Sequence, residues 1–304
     1  GLMATSFQAM QIANRRKTVL LMAVMASLVA ALIWVFAYLL GYTSIGVVPI
    51  AVGISLAGTW WSYYASDRIV LAMTGAQVIN EDSAPQLFNL VHEVVIASGL
   101  PMPKVAIVQD EAPNAFATGR DPEHAVIAFT TGILKVMDRE QLQGVAAHEM
   151  AHVANRDTLV SAIAVTTAGA IALMSDLLFR ILWFGGGRKD RHGSNPILAI
   201  ASLVLLVLAP LAATLIRSAI SRNRESLADA TAVQFTRNPA GLRRALEELA
   251  RDNTVVAQRS TAVAHVWIES PLDSSFTSKL FATHPPIQER IEKLRQIEQG
   301  SYPD

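Results

Sequence analysis

Two histidines four residues apart, with a glutamate beside the first, carry the clearest chemical signal in this chain. They are His148, Glu149 and His152, within G-V-A-A-H-E-M-A-H-V-A-N-R-D at residues 144–157. On a helix, positions four apart lie one turn above each other on one face, so both imidazoles can reach a single metal ion. Glu149 is then placed to take a proton from a metal-bound water. A catalytic zinc takes three protein ligands and keeps one position open, so the chain should supply a third. Glu225, in S-R-N-R-E-S-L-A-D at 221–229, is the candidate. Asp229 shares its helix face and can accept the second N–H of a ligand histidine, fixing the tautomer. The competing reading of Glu225 and Asp229 is a solvated acidic pair, and H-E-x-x-H by itself also arises by chance in ordinary helices.

The elements that must position these residues are legible around them. Asp138 opens the metal helix as N-cap, with Gln141 as its capping-box partner. No Gly or Pro interrupts residues 145–167, so the helix is expected to run on into the apolar stretch 158–175. Asp176 and Arg180 are spaced to pair near the end of that stretch. Ahead of the metal helix, residues 84–98 have helical periodicity in Leu87, Leu90, Val91, Val94 and Val95. Three β-type runs follow, at 104–108, 114–118 and 124–130, punctuated by Pro113 and residues 119–122. His92, without a ligand partner at helical spacing, reads as a surface or packing residue, and His124, at a turn, as solvated. After Glu225, residues 241–251 and 286–299 carry helical patterns, while 253–281, with Trp267 and Phe276, is less regular.

The chain of 304 residues is 52% hydrophobic and 16% charged, with a mean hydropathy of +0.35. That is apolar for a soluble protein and points to membrane spans beside a soluble part. Formal net charge is zero, which gives no bulk attraction to nucleic acid, and no nucleic-acid partner is expected. With no cysteine there can be no disulfide, Cys-ligated zinc or thiol catalysis. Gly1-Leu2 before Met3 reads as the remnant of a removed tag. Arg15-Arg16-Lys17 precedes the apolar run 18–40, whose 23 residues cover about 34 Å against a bilayer core of about 30 Å. The basic cluster argues for a cytoplasmic N-terminus. A second run, 44–64, ends in Trp60, Trp61, Tyr63 and Tyr64, aromatics suited to a headgroup boundary. Runs at 158–175 and 197–216, the latter with Pro210, form a second pair. Since the ligands on either side must meet, this pair is a full hairpin or enters the membrane only partly. A full hairpin exports Arg188, Lys189 and Arg191, against the positive-inside tendency; four spans is the expectation, a shallow second hairpin the rival. The domain reading is therefore 1–65 transmembrane hairpin, 66–156 first catalytic part, 157–216 second hairpin, and 217–304 second catalytic part.

Taken together, H-E-M-A-H and S-R-N-R-E-S-L-A-D, the apolar hairpin between them, N-A-F-A-T-G at 114–119 and T-H-P-P at 283–286 resemble the HtpX-type membrane metallopeptidases, relatives of the CAAX prenyl proteases. The likeness covers nearly the whole chain. It implies an α+β, predominantly helical fold: a zincin-like metallopeptidase domain with a small β-sheet, plus about four transmembrane helices. It further implies one Zn2+ held by His148, His152 and Glu225, Glu149 as catalytic base and acid, and Asp229 behind a ligand histidine. His284 is the implied oxyanion donor, with a helix-start histidine as its ordinary reading and His265 as a weaker competitor. Asn114, Ala115, Phe116, Ala117 and Thr118 are the implied substrate-binding edge strand, where main-chain pairing gives affinity without sequence choice.

The function implied is a zinc endopeptidase of a bacterial-type inner membrane, its site facing the cytoplasm. It would clear misfolded polypeptides, membrane proteins above all, in contact with the lipid bilayer. If the metal helix is continuous, His152 lies about 9 Å from residue 158, and Glu225 about 14 Å from residue 216, which puts the centre near the membrane surface. A CAAX-type prenyl-protein peptidase uses the same metal chemistry. A non-catalytic membrane scaffold with a vestigial site is the reading from another class, against which intact Glu149 and Glu225 stand.

Overall fold

The computed structural model describes residues 2–163, 173, 176–177, 180, 203, 224–252 and 287–300. Two long helices come first, α1 (Leu2–Leu39) and α2 (Val47–Thr74). They pack antiparallel around a short connection, with the Ser55 hydroxyl donating to the Ala26 carbonyl at 2.6 Å across the pair. Among the described residues one segment, Arg15–Tyr38, is long and apolar enough to cross a membrane. The expected second span falls short because Trp60, Trp61, Ser62, Tyr63 and Tyr64 lower its mean hydropathy. Even so, α1 and α2 expose Val19, Leu20, Ile50, Ile54, Leu56, Trp60 and Trp61 to the surroundings, an apolar surface that water alone would penalise. The runs at 158–175 and 197–216 lie for the most part outside the described residues. Asp176 and Arg180 do pair, at 2.8 Å.

Instead of ending at the aromatics, α2 continues through residue 65 to Thr74, where left-handed Gly75 stops it. It thereby becomes a cover for the sheet. The strands β1 (Gln77–Val78), β2 (Lys104–Val108), β3 (Ala115–Thr118) and β4 (Val126–Thr130) lie in the order β1-β2-β4-β3. The β2 and β4 strands are parallel, and the other two pairings are antiparallel. Side chains alternate between faces. Ala106, Val108, Phe116, Val126 and Ala128 meet Val70 and Leu71 of α2. Val105, Ala115, Ala117, Ile127 and Phe129 meet the helices on the other side. Residues 114 and 124–125 fall just outside the strands, and two-residue β1 is too short to announce itself in the sequence.

The helices of that other side are α3 (Pro85–Ser98), α4 (Thr131–Val136), α5 (Arg139–Ala154), α6 (Arg224–Thr236), α7 (Pro239–Arg251) and α8 (Ile287–Glu298). The metal-motif helix, α5, lies at their centre, between the sheet and helices α3, α6 and α7. It opens on the expected capping box: Asp138 accepts from the Gln141 amide, and the Gln141 side chain accepts from the Asp138 amide. Its close approach to α7 depends on Gly144, where a Cβ would stand 2.6 Å from the Leu242 amide nitrogen.

The expectation of one continuous metal helix is corrected. Helix α5 ends at Ala154, and Asn155, left-handed Arg156 (φ +56°) and Asp157 form a turn before helical structure resumes at residue 158. The Asp157 amide reaches back to the His152 carbonyl at 3.2 Å. No Gly or Pro is needed: the turn is held where the Asp157 carboxylate meets His152 and the Asp157 carbonyl accepts from Arg224. The spacing of about 1.5 Å per residue from His152 to residue 158 therefore does not apply.

Candidate metal centre

The buried stretch of α5 brings His148 and His152 one turn apart, and α6 crosses it to deliver Glu225 between them. His148 Nε2 lies 3.1 Å from His152 Nε2 and 3.3 Å from Glu225 Oε2, while His152 Nε2 lies 3.4 Å from Glu225 Oε1. Their ligand atoms all fall within 4.8 Å of one another. His148 and Glu225 are buried, and His152 keeps 14% of its side chain exposed, so the group opens on one side only.

Each imidazole is gripped from behind. Asp229 Oδ1 sits 2.8 Å from His148 Nδ1, and both oxygens of Asp157 sit 3.0 Å from His152 Nδ1. Proton donation from Nδ1 to these carboxylates leaves both Nε2 lone pairs turned towards Glu225. Asp229 was expected behind a histidine; Asp157 was missed, and it is delivered by the turn that ends α5. A second missed residue is Arg290 of α8, fully buried. Its Nε and Nη2 both donate to Asp229, each at 2.9 Å, in a bidentate pair. Its Nη1 lies 3.8 Å from Glu225 Oε2. Arg224, beside Glu225, donates to the Asp157 carbonyl at 3.2 Å and to Ser161 Oγ at 3.0 Å, tying α6 to the turn.

Glu149 is buried beside this group, and its Oε1 has no hydrogen-bond partner among the described residues. Burial pushes the Glu149 carboxyl up, against the pull of the two neighbouring imidazoles. Burial would depress His148, but Asp229 and Glu225 outweigh it and raise it. His152 is raised further, by Asp157 and Glu225 acting against the same burial. Asp229, despite burial, is held low by Arg290 and His148.

Two aromatic nitrogens and a carboxylate suit a zinc-type cation. The charge balance suits it as well. Buried Glu149, Asp157, Glu225 and Asp229 face only the buried guanidinium groups of Arg224 and Arg290 among the described residues. With neutral histidines, that excess is what a divalent cation would cancel, and buried charge without compensation is costly. Asn114, Ala115, Phe116, Ala117 and Thr118 lie on and beside β3, the edge strand, with buried side chains. His92 and His124 are exposed, away from the group. His284, His265, Trp267 and Phe276 lie outside the described residues.

A buried two-histidine, one-carboxylate cluster beside a glutamate with a free carboxylate oxygen is the arrangement of a metal-dependent hydrolase, and a metalloprotease is the class in which it is built on H-E-x-x-H. The chain belongs to peptidase family M48, whose model matches residues 81–298. It is 42% identical over 290 residues to a "Protease HtpX homolog" of Streptococcus gordonii, which covers 94% of this chain and 98% of that one. The corresponding protein of Thermoanaerobacter pseudethanolicus is 42% identical over 292 residues, covering 95% and 97%. One from Pyrococcus furiosus is 43% identical over 284 residues, covering 92% and 95%. Among solved structures, the crystal structure of S. mikatae Ste24p aligns with 94% of this chain and 66% of that chain, at a TM-score of 0.47 and 17% identity. The protein is a membrane metalloprotease of the HtpX type.

Proposed function

We propose that the chain is a zinc-dependent endopeptidase at the cytoplasmic surface of a bacterial-type inner membrane, hydrolysing peptide bonds of misfolded or membrane proteins. The observation that carries this reading is the convergence of His148, His152 and Glu225, with Asp229 and Asp157 locking the far ring nitrogens. His148, His152 and Glu225 hold the ion. When bound, zinc supplies Lewis acidity, polarising a peptide carbonyl and acidifying a water beside it. Glu149 accepts the proton of the attacking water and passes it to the departing amine, and its burial favours a proton held between the two steps. Asp157 and Asp229 act through the histidines as positioning residues.

We assign His284 as the oxyanion donor, on the T-H-P-P resemblance. Residues 114–118 are the strand along which substrate pairs: β3 has β4 on one side only among the described residues, so its outer edge offers main-chain groups to an extended peptide. Segments 1–65 and 157–216 anchor the enzyme, and 66–156 with 217–304 form its catalytic part. The HtpX relatives favour a general endopeptidase over a prenyl-protein peptidase.

The test is release of peptides from casein by purified full-length protein, with and without chelator, beside Glu149→Gln. The expected outcome is chelator-sensitive cleavage that zinc restores, and a loss of about 10²–10⁴-fold in the variant. Unchanged cleavage by Glu149→Gln would sink the assignment.

A further inference from the structure

The metal centre does not account for a cavity of about 480 Å3 where α1 and α2 meet the turn after α5. Three arginines from three separate segments line it: Arg15 at the start of the membrane-length segment of α1, Arg120 after β3, and Arg156 in the 155–157 turn. Asp121 is the one acid among its lining residues. It lies 3.6 Å from Arg120 and is also paired with exposed His124. Neither Arg15 nor Arg156 has a carboxylate within ion-pair distance among the described residues. Apart from Thr18, the remaining wall is apolar and aromatic: Val19, Met22, Leu159, Trp60, Tyr63 and Tyr64. Arg120 is already braced for an anion. Its guanidinium lies 5.4 Å from the centre of the Tyr64 ring and donates to the Tyr64 carbonyl at 3.3 Å.

This combination has a chemical signature. A net positive mouth asks for an anion. Trp and Tyr at the end of an apolar stretch mark the headgroup level of a bilayer. The exposed faces of Val19, Leu20 and Trp60 beside the cavity ask for hydrocarbon. We propose that the cavity between Arg15, Arg120 and Arg156 is a binding site for the phosphodiester headgroup of an anionic phospholipid, whose acyl chains lie along α1 and α2. The inference rests on the reading above that these two helices enter a bilayer. It places the headgroup against Arg156, one residue from Asp157, so that the lipid surface and the metal centre share a single turn.

The test uses full-length Glu149→Gln protein in neutral detergent, so no self-cleavage intervenes and its outcome is independent of peptidase activity. Thermal unfolding is followed while phosphatidylglycerol, phosphatidylcholine, glycerol phosphate or inorganic phosphate is titrated in. Saturable stabilisation is expected from phosphatidylglycerol alone. Its midpoint should rise at least tenfold in Arg120→Gln/Arg156→Gln, stay near the parent value in Arg156→Lys, and be unchanged in Arg16→Gln/Lys17→Gln, whose charges lie outside the cavity. Equal stabilisation by phosphatidylcholine, or a midpoint that follows Arg16 and Lys17 and not the cavity arginines, overturns the proposal. Equal stabilisation by inorganic phosphate or glycerol phosphate overturns the lipid assignment in favour of a free phosphate. Loss of casein cleavage in the native protein with lipid binding intact would remove the peptidase reading and leave this one standing.

Discussion

At the scale of single residues, the centre is as much a matter of what stands behind the histidines as of the histidines themselves. Asp157 and Asp229 each accept from an imidazole Nδ1, and losing that acceptor frees the ring to turn or change tautomer. Asp157→Asn is expected to weaken zinc affinity by about 10–100-fold, with the folded helical signal retained; competition with a zinc-binding dye would measure it. An unchanged affinity would mean that Asp157 serves the turn alone. Arg290→Met removes one partner of a buried bidentate pair and leaves Asp229 charged and unmatched. That change is expected to cost about 3–5 kcal/mol of stability, read as a fall in the thermal midpoint in detergent. His148 and His152 were legible because a helical spacing of four puts both on one face with Glu149 beside the first, whereas Glu225 and Asp229, at the same spacing, needed the wider motif resemblance to stand out. Asp157 and Arg290 were not legible: Asp157 depends on a turn that no Gly or Pro announces. Arg290 is one basic residue among several on an amphipathic helix, and its burial is decided by a partner 61 residues away.

At the scale of elements, α5 is joined to α7, far along the chain, by close helix packing. Gly144 of α5 faces Leu242 of α7 so closely that an added methyl group would meet main chain, which cannot swing aside. Gly144→Ala is expected to destabilise the fold by about 1–3 kcal/mol, seen as a lower thermal midpoint. Helices α7 and α8 are tied by Glu247, which accepts from Arg243 and Arg295. Burial alone would lift the Glu247 carboxyl, but these two arginines hold it below its ordinary 4.5. A carboxylate whose pKa falls on folding stabilises the fold above its unfolded pKa, and that contribution is lost as pH drops through the lower, folded value. Glu247→Gln should therefore melt below the native protein at pH 7, with the difference shrinking from about pH 4.5 downward. A difference constant down to pH 3 would contradict the linkage. Helices α3, α7 and α8, the start of α5, and strands β2, β3 and β4 were readable to within about two residues, because period and caps coincide. What the sequence reading missed was the end of α5 at Ala154, which no Gly or Pro marks, and the continuation of α2 past its aromatics to Thr74, where Gly75 caps it.

At the scale of the whole molecule, α2 belongs to two structures at once: its first part pairs with α1, and its last turns roof the sheet that lies against the metal helix. The helical start after Asp157 is packed in turn on α1, through Val160 and Ile163 against Leu21 and Met25. The centre is thus braced against the N-terminal hairpin from two directions, which composition could suggest only as proximity. The natural chain has no cysteine, so single-cysteine labelling is free of background. Cysteine at Glu111 is expected to react from the cytoplasmic side only, and cysteine at Tyr42 from the opposite side only. Labelling of both from one side would remove the first hairpin as a full span. The central claim, that His148, His152 and Glu225 form one zinc site with Glu149 outside it, is tested most directly by metal analysis of purified variants. One zinc per chain is predicted for the native protein and for Glu149→Gln, falling well below one in His148→Ala, His152→Ala and Glu225→Ala. Full zinc occupancy in Glu225→Ala, or its loss in Glu149→Gln, would contradict the account.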